Sequence, residues 1–542
     1  MEIQNNQIIQ NSQLYQIQPA MPQPSTPTAP PQKPLFELTK GNAAFVICAL
    51  IGSVFTSLFG IFSGFALGYM LSVILMTTIF IFYLAKGGKG RVFPVICGLL
   101  TLGCSSIFIC TSNSSVRFFG IVVSFLLALV CFDGLSSGKA KGNLKTVGIF
   151  YSAASTFGNI GVTFKSIFCG NKNNKKSLGK AFIGLACSLP VLLIVVPLLL
   201  NSDDAFLGMM SKIFDNTFST IVKITFGAAI SIFVITYGLS IKHSRVAKIK
   251  KSRFKGIENI YIISFLSAIS FCYLLYLFSQ LAYFFSAFSG FLPENYDTYS
   301  EYARKGFFEM CAIAVINLGI VFTAWLLSRK KDGKICLGIK LLSTFIALFT
   351  LVIIATAISK MVLYIGGYGM TVLRITTSAF MVFLAIVFIS IILKIFIKKI
   401  NFVKASLLTA GIIILLLGTI NVNAVCAKYN YENYVAGNLK NISAESFYEL
   451  GDEGIPYLVK LAQSDDKNVA DEADRYLLDA YWYDYFEDLH EAKTLTVNDL
   501  KQHKKYDDID SFTIPRSKAY DALYEYVEEN PGFCYIMENN YS

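Results

Sequence analysis

Residues 296–310, YDTYSEYARKGFFEM, crowd acids, bases and aromatic rings together just before a long apolar run. Read as a helix, Tyr296, Tyr299 and Tyr302 share a side, Glu301–Lys305 and Lys305–Glu309 are i,i+4 pairs, and Asp297 and Glu301 flank Arg304. Two further stretches bring similar groups to the ends of apolar runs. NSDDAF (201–206) carries Asp203 and Asp204, and SKMVLYIGGYGMTVLRITT (359–377) brackets three glycines with Lys360 and Arg374. Charges beside hydrocarbon are costly unless paired. Asp203, Asp204, Glu301, Arg304, Lys360 and Arg374 are therefore a candidate ligand-binding polar cluster. The competing readings are an ion-pair network that fixes the helices and, for 296–310, an interfacial helix with its tyrosines at headgroup level.

None of these residues is assigned a catalytic role. Paired acids near a base suit proton transfer to a lipid headgroup, yet no HExxH, GxSxG or Walker-type loop accompanies them. GGKG at 87–90 is too short for a phosphate loop and reads as a flexible basic turn. Three histidines (His243, His490, His503) and twelve cysteines without a CxxC pair offer no metal-ligand spacing, and no cofactor is expected.

The elements that must position the cluster are membrane helices. The chain has 542 residues, 54% hydrophobic and only 15% charged, a balance foreign to ordinary soluble domains. Uncharged apolar runs of about twenty residues recur, each long enough to cross about 30 Å of hydrocarbon as helix. Alternating barrel strands would read differently. The expectation is an all-α polytopic bundle of eleven spans, near 43–62, 65–85, 92–111, 118–137, 181–200, 223–241, 259–281, 308–328, 335–358, 375–397 and 405–425.

Charge sorts these spans. Residues 428–542 hold 24 acids and 11 bases, leaving 12 acids and 36 bases elsewhere. The loops 86–91, 139–180, 242–255, 329–334 and 398–404 are basic, and they are every second loop. Positive residues stay in the cytoplasm, which sets the N-terminus inside and the C-terminus outside. No basic stripe interleaved with stacking aromatics argues for nucleic acid. The partners expected are the lipid bilayer and an envelope or membrane protein met through 428–542.

Three units follow: a Gln/Asn/Pro-rich tail (1–40) read as disordered and cytoplasmic, the bundle (41–427), and an acidic helical extracytoplasmic domain (428–542). Segments 144–168 and 203–222 suit helices lying in the interface. The glycines at 366, 367 and 369 oppose a continuous helix there.

NSDDAF, YSEYARKGFFEM and YIGGYGMTVLR, followed by LGDEGIPYLVKLA, resemble in that order the DUF-four-one-seven-three family of multi-pass bacterial membrane proteins. The resemblance covers roughly 180–480 and implies a bacterial plasma membrane; it supplies no reaction. This chain departs from the pattern with Lys305 in place of an acid and Met370 in place of Leu. A binding, sensing or scaffold protein is the leading expectation, then a transporter or flippase with an outer-facing polar pocket, then a membrane enzyme acting on lipid or envelope precursors.

Overall fold

The computed structural model describes residues 36, 39–62, 64–85, 92–136, 156–168, 195, 217–243, 256–289, 307–330, 335–397, 400–439, 441–480 and 512–530. Within them the chain is helical, and an isolated bridge between Ile257 and Ser328 is the one piece of β pairing. Hydrocarbon leaves the backbone no partner but itself, so the apolar runs close their own hydrogen bonds.

In chain order, α1 is Lys40–Phe55, continued by a π-helical turn over Thr56–Ile61, and α2 is Leu67–Leu84. Helix α3 is Val92–Ser105, extended by the short helix Ile107–Cys110; α4 is Ser114–Ser136; α5 is Ile160–Phe168; α6 is Thr217–Lys242. Next come α7, Asn259–Ser289, α8, Phe307–Leu327, α9, Leu337–Tyr368, α10, Val372–Phe396, and α11, Phe402–Ile420. The C-terminal part holds α12, Val422–Val435, α13, Ala444–Tyr448, α14, Ile455–Ala462, α15, Lys467–Asp479, and α16, Ile514–Glu529.

Ten helices among the described residues are long and apolar enough to cross a membrane. They coincide with ten of the eleven runs expected; the run at 181–200 lies, Val195 apart, outside the described residues. The chain is a multi-pass membrane protein.

Its apolar packing divides the spans in two. One core takes Phe45, Phe80, Cys104, Leu127 and Leu239 from α1, α2, α3, α4 and α6, and α11 adds Leu407, Leu408 and Leu415. Helices α7 to α10 hold two further cores, one with Ala314, Ala347 and Phe388 and one with Leu266 and Ile346. The two sub-bundles meet along α10 and α11. In the first, α1 and α6 touch closely at Gly227, where an added Cβ would lie 2.7 Å from the Val54 Cα. Ser57, in the π turn, donates to the Lys223 carbonyl across that crossing at 2.5 Å. In the second, Asn317 lies fully buried between helices. It accepts from the Tyr273 hydroxyl at 2.6 Å and donates to Thr350 Oγ1 at 2.9 Å.

Two expectations need correction. Helix α9 runs on through Gly366 and Gly367 and stops only at Gly369, whose φ is +77°. Two glycines cost a helix about 2 kcal/mol, and backbone left unpaired at membrane depth costs more. The last span ends at Ile420, where Asn421 turns left-handed at φ +61° and starts α12. Asn tolerates that conformation, and its amide donates to the Cys110 carbonyl at 2.7 Å.

Segment 156–168 is helical over α5, but the face it buries is polar: Thr156, Asn159, Thr163 and Ser166. Asn159 donates to Ser240 of α6 at 3.1 Å, and Phe36 of the tail, itself buried, donates its backbone N–H to Ser166 at 2.8 Å. The described end of segment 203–222 is the first turn of α6.

Candidate functional site

Asp203, Asp204, Glu301 and Arg304 lie outside the described residues. Lys360 is half-buried on α9, and Arg374 stands in the first turn of α10. Arg374 folds back over the end of α9: its Nη1 donates to the Tyr368 carbonyl at 3.1 Å and to the Gly369 carbonyl. Its guanidinium also stacks 4.0 Å from the centre of the Tyr364 ring. A cation at a helix C-terminus meets the negative end of the dipole and the last unpaired carbonyls. No carboxylate among the described residues pairs with Arg374, and its site is a helix-capping turn.

The turn that Arg374 caps is gripped from the C-terminal side. Asn430 of α12 accepts from the Met370 N–H at 2.6 Å and donates to the Met370 carbonyl at 2.8 Å, so both backbone groups of one residue are read by one amide. Gly369 is needed here for room as well as for φ, since an added Cβ would lie 2.7 Å from Asn430 Oδ1.

A second grip lies on the other sub-bundle. Glu453 follows the left-handed Gly451 and is only 5% exposed. Its carboxylate accepts from the Ser112 N–H at 2.8 Å, Thr111 Oγ1 at 3.2 Å, Asn423 Nδ2 at 3.5 Å and the Ser112 hydroxyl. Residues 111–113 are the loop between α3 and α4. Arg117 braces that loop by donating to the Thr111 carbonyl at 2.7 Å and the Phe108 carbonyl at 3.2 Å. Asn113 donates to Asn423 at 2.8 Å, and Asn423 donates to the Leu450 carbonyl at 2.8 Å. Gly454 closes the turn where no side chain fits, a Cβ falling 1.8 Å from the Phe447 carbonyl oxygen.

Behind both grips stands one apolar core. Val422, Cys426, Phe447, Leu458, Leu477 and Leu523 pack together from α12 to α16, so the unit's packing begins at Val422. Burial pushes the Cys426 thiol up to about 12, with Arg374 nearby pulling the other way. Burial also raises Tyr526, which donates to Asp474. Among the described residues no group of His, Cys, Asp or Glu could hold a metal ion.

Sequence reasoning missed Glu453, Asn423 and Asn430. LGDEGIP and NVNAVCAKYNYENY (421–434) carried a signal, glycines around an acid and asparagines in apolar surroundings. Nothing in the sequence paired Glu453 with a residue 341 positions away or Asn430 with one 60 positions away.

A polytopic helical membrane protein with a helical unit docked on one end of its spans is the class these observations define. The chain belongs to the family described as a domain of unknown function, DUF4153, which it matches over residues 70–461. The motifs pointed to the designation DUF-four-one-seven-three and to 180–480; the match begins earlier and takes in α2 to α4. No curated protein and no solved structure matches the chain.

Proposed function

We propose that the chain is a binding, sensing or scaffold protein of a bacterial plasma membrane. Its C-terminal helical unit, on the extracytoplasmic side, meets an envelope or membrane protein. One observation carries the reading: the unit holds both sub-bundles, the first through Glu453 on the 111–113 loop and the second through Asn430 on Met370. A partner that shifts the unit must pull on both grips, so binding outside is felt between the spans. The unit's acid excess suits a basic partner surface.

The test is photo-crosslinking in intact cells from Asp471 and Glu525, both exposed. Adducts of one discrete mass, lost when 428–542 is deleted together with the cellular phenotype, support the reading. An unchanged phenotype after deletion removes it. The seam between α10 and α11 favours a second reading, transport by rocking of the two sub-bundles. A crosslink across the seam that abolishes solute or lipid movement in proteoliposomes, with the unit deleted, would favour transport.

A further inference from the structure

A half-open groove of about 290 Å³ runs between the two sub-bundles. Ile375, Ala379 and Val382 of α10 form one wall; Ile413, Leu416, Leu417 and Ile420 of α11 form the other, and Val422 and Val425 of α12 close one end. Every lining side chain is apolar, and both walls belong to membrane spans. From Ile375 to Val382 the wall measures about 10 Å at 1.5 Å per residue, part of an acyl chain's length. The volume lies near the lower bound of ligand pockets, about 300 Å³.

A cationic residue adjoins one wall of this groove in the chain. Arg374 stands in the first turn of α10 and directly precedes Ile375 of the groove wall. Only its Nη1 is spent, on the Tyr368 and Gly369 carbonyls, and among the described residues Nε and Nη2 have no acceptor. Carbonyls take hydrogen bonds but do not neutralise charge. An apolar slot beside a guanidinium that no described carboxylate pairs with is complementary to an anionic amphiphile.

We infer that this groove binds one acyl chain of an anionic phospholipid, with its phosphate on Arg374. The lipid then fills the junction of the two sub-bundles directly beside the turn that Asn430 grips. This site is independent of which protein the C-terminal unit meets.

The test uses the full chain in nanodiscs holding equal amounts of phosphatidylglycerol and phosphatidylcholine, then native mass spectrometry of the lipids retained after extraction. The unsubstituted protein is expected to keep phosphatidylglycerol about tenfold over phosphatidylcholine, the worth of one charge-assisted contact. Arg374→Gln should erase that preference. Ala379→Phe, which fills the groove and leaves the capping turn alone, should lower retention of both lipids while thermal unfolding stays cooperative; this arm stands even if the Arg374 variant does not fold. Equal retention by the unsubstituted protein overturns the inference, and so does an unaltered Ala379→Phe variant. Displacement of the lipid by millimolar inorganic phosphate would assign the site to free phosphate and overturn it too.

Discussion

Glu453→Gln is the sharpest perturbation of the grip on the first sub-bundle. The carboxylate accepts from four donors while only 5% exposed. Glutamine keeps the shape and one acceptor oxygen, enough for the Ser112 N–H and Thr111. Its amide NH₂ then faces the Ser112 hydroxyl, which can turn round to accept, and the Asn423 NH₂, which cannot. That last contact is the longest, 3.5 Å, so the main loss is the charge on the remaining bonds. A charge-assisted bond contributes about 1.5–3 kcal/mol, part of it offset because an amide is cheaper to bury than a carboxylate. The expected net cost is therefore about 1.5–2 kcal/mol, an increase of about tenfold to thirtyfold in undocking. Glu453→Ala strips every acceptor, leaves the Ser112 N–H buried and unpaired, and should cost about 3–5 kcal/mol. Hydrogen exchange with mass spectrometry in micelles reads this directly. Amides of α13 to α15 that exchange through undocking should speed up by those factors, Ala beyond Gln, while α8 and α9 keep their rates. Unchanged exchange over 444–480 in both variants would refute the reasoning, because a carboxylate that holds the unit cannot be removed without cost.

Three further outcomes follow from the same structure. Asn430→Asp sets a carboxylate against the Met370 carbonyl and removes the donor it had, so the grip on the second sub-bundle should weaken by about 1–3 kcal/mol, seen as faster limited proteolysis after α12. Asn317→Leu breaks the bonds to Tyr273 and Thr350 and should lower the thermal midpoint in detergent at a cost of about 0.6–1.7 kcal/mol. Alkaline pH should loosen the C-terminal unit. Cys426 and Tyr526 are raised by folding above their ordinary 9.0 and 10.0, so the stability they contribute is whole below pH 9 and is lost as the pH climbs toward and past about 12. Cys426→Ala, followed by circular dichroism against pH, should move the start of that loss from about 9 to about 10.

Span existence was legible because hydrocarbon permits one backbone solution, so length and apolarity alone delimit α1 to α4 and α6 to α11. Their ends were less so. Propensity argued for a break at Gly366, and the membrane overrode it until Gly369, where a positive φ was needed. Asn421 hid the other boundary, since a span read by hydropathy runs smoothly into Val422–Ala427, residues whose partners are in the C-terminal core. Of the candidate cluster, only Lys360 and Arg374 fall among the described residues, and the sequence did not show that the Arg374 guanidinium leans on helix-end carbonyls and a tyrosine face. Glu453 reads in sequence like one acid among many in an acidic segment, because burial is set by a loop 341 residues earlier.

In the proposed role, the C-terminal unit straps the two sub-bundles together. Spin labels on non-canonical residues at Leu99 of α3 and Leu341 of α9, both exposed, report the separation of the two by pulsed electron resonance while leaving the native cysteines in place. The full chain should give one narrow distance distribution, and Glu453→Gln combined with Asn430→Asp should broaden or shift it. An identical distribution in the doubly substituted protein would mean that the spans hold themselves and that the unit straps nothing.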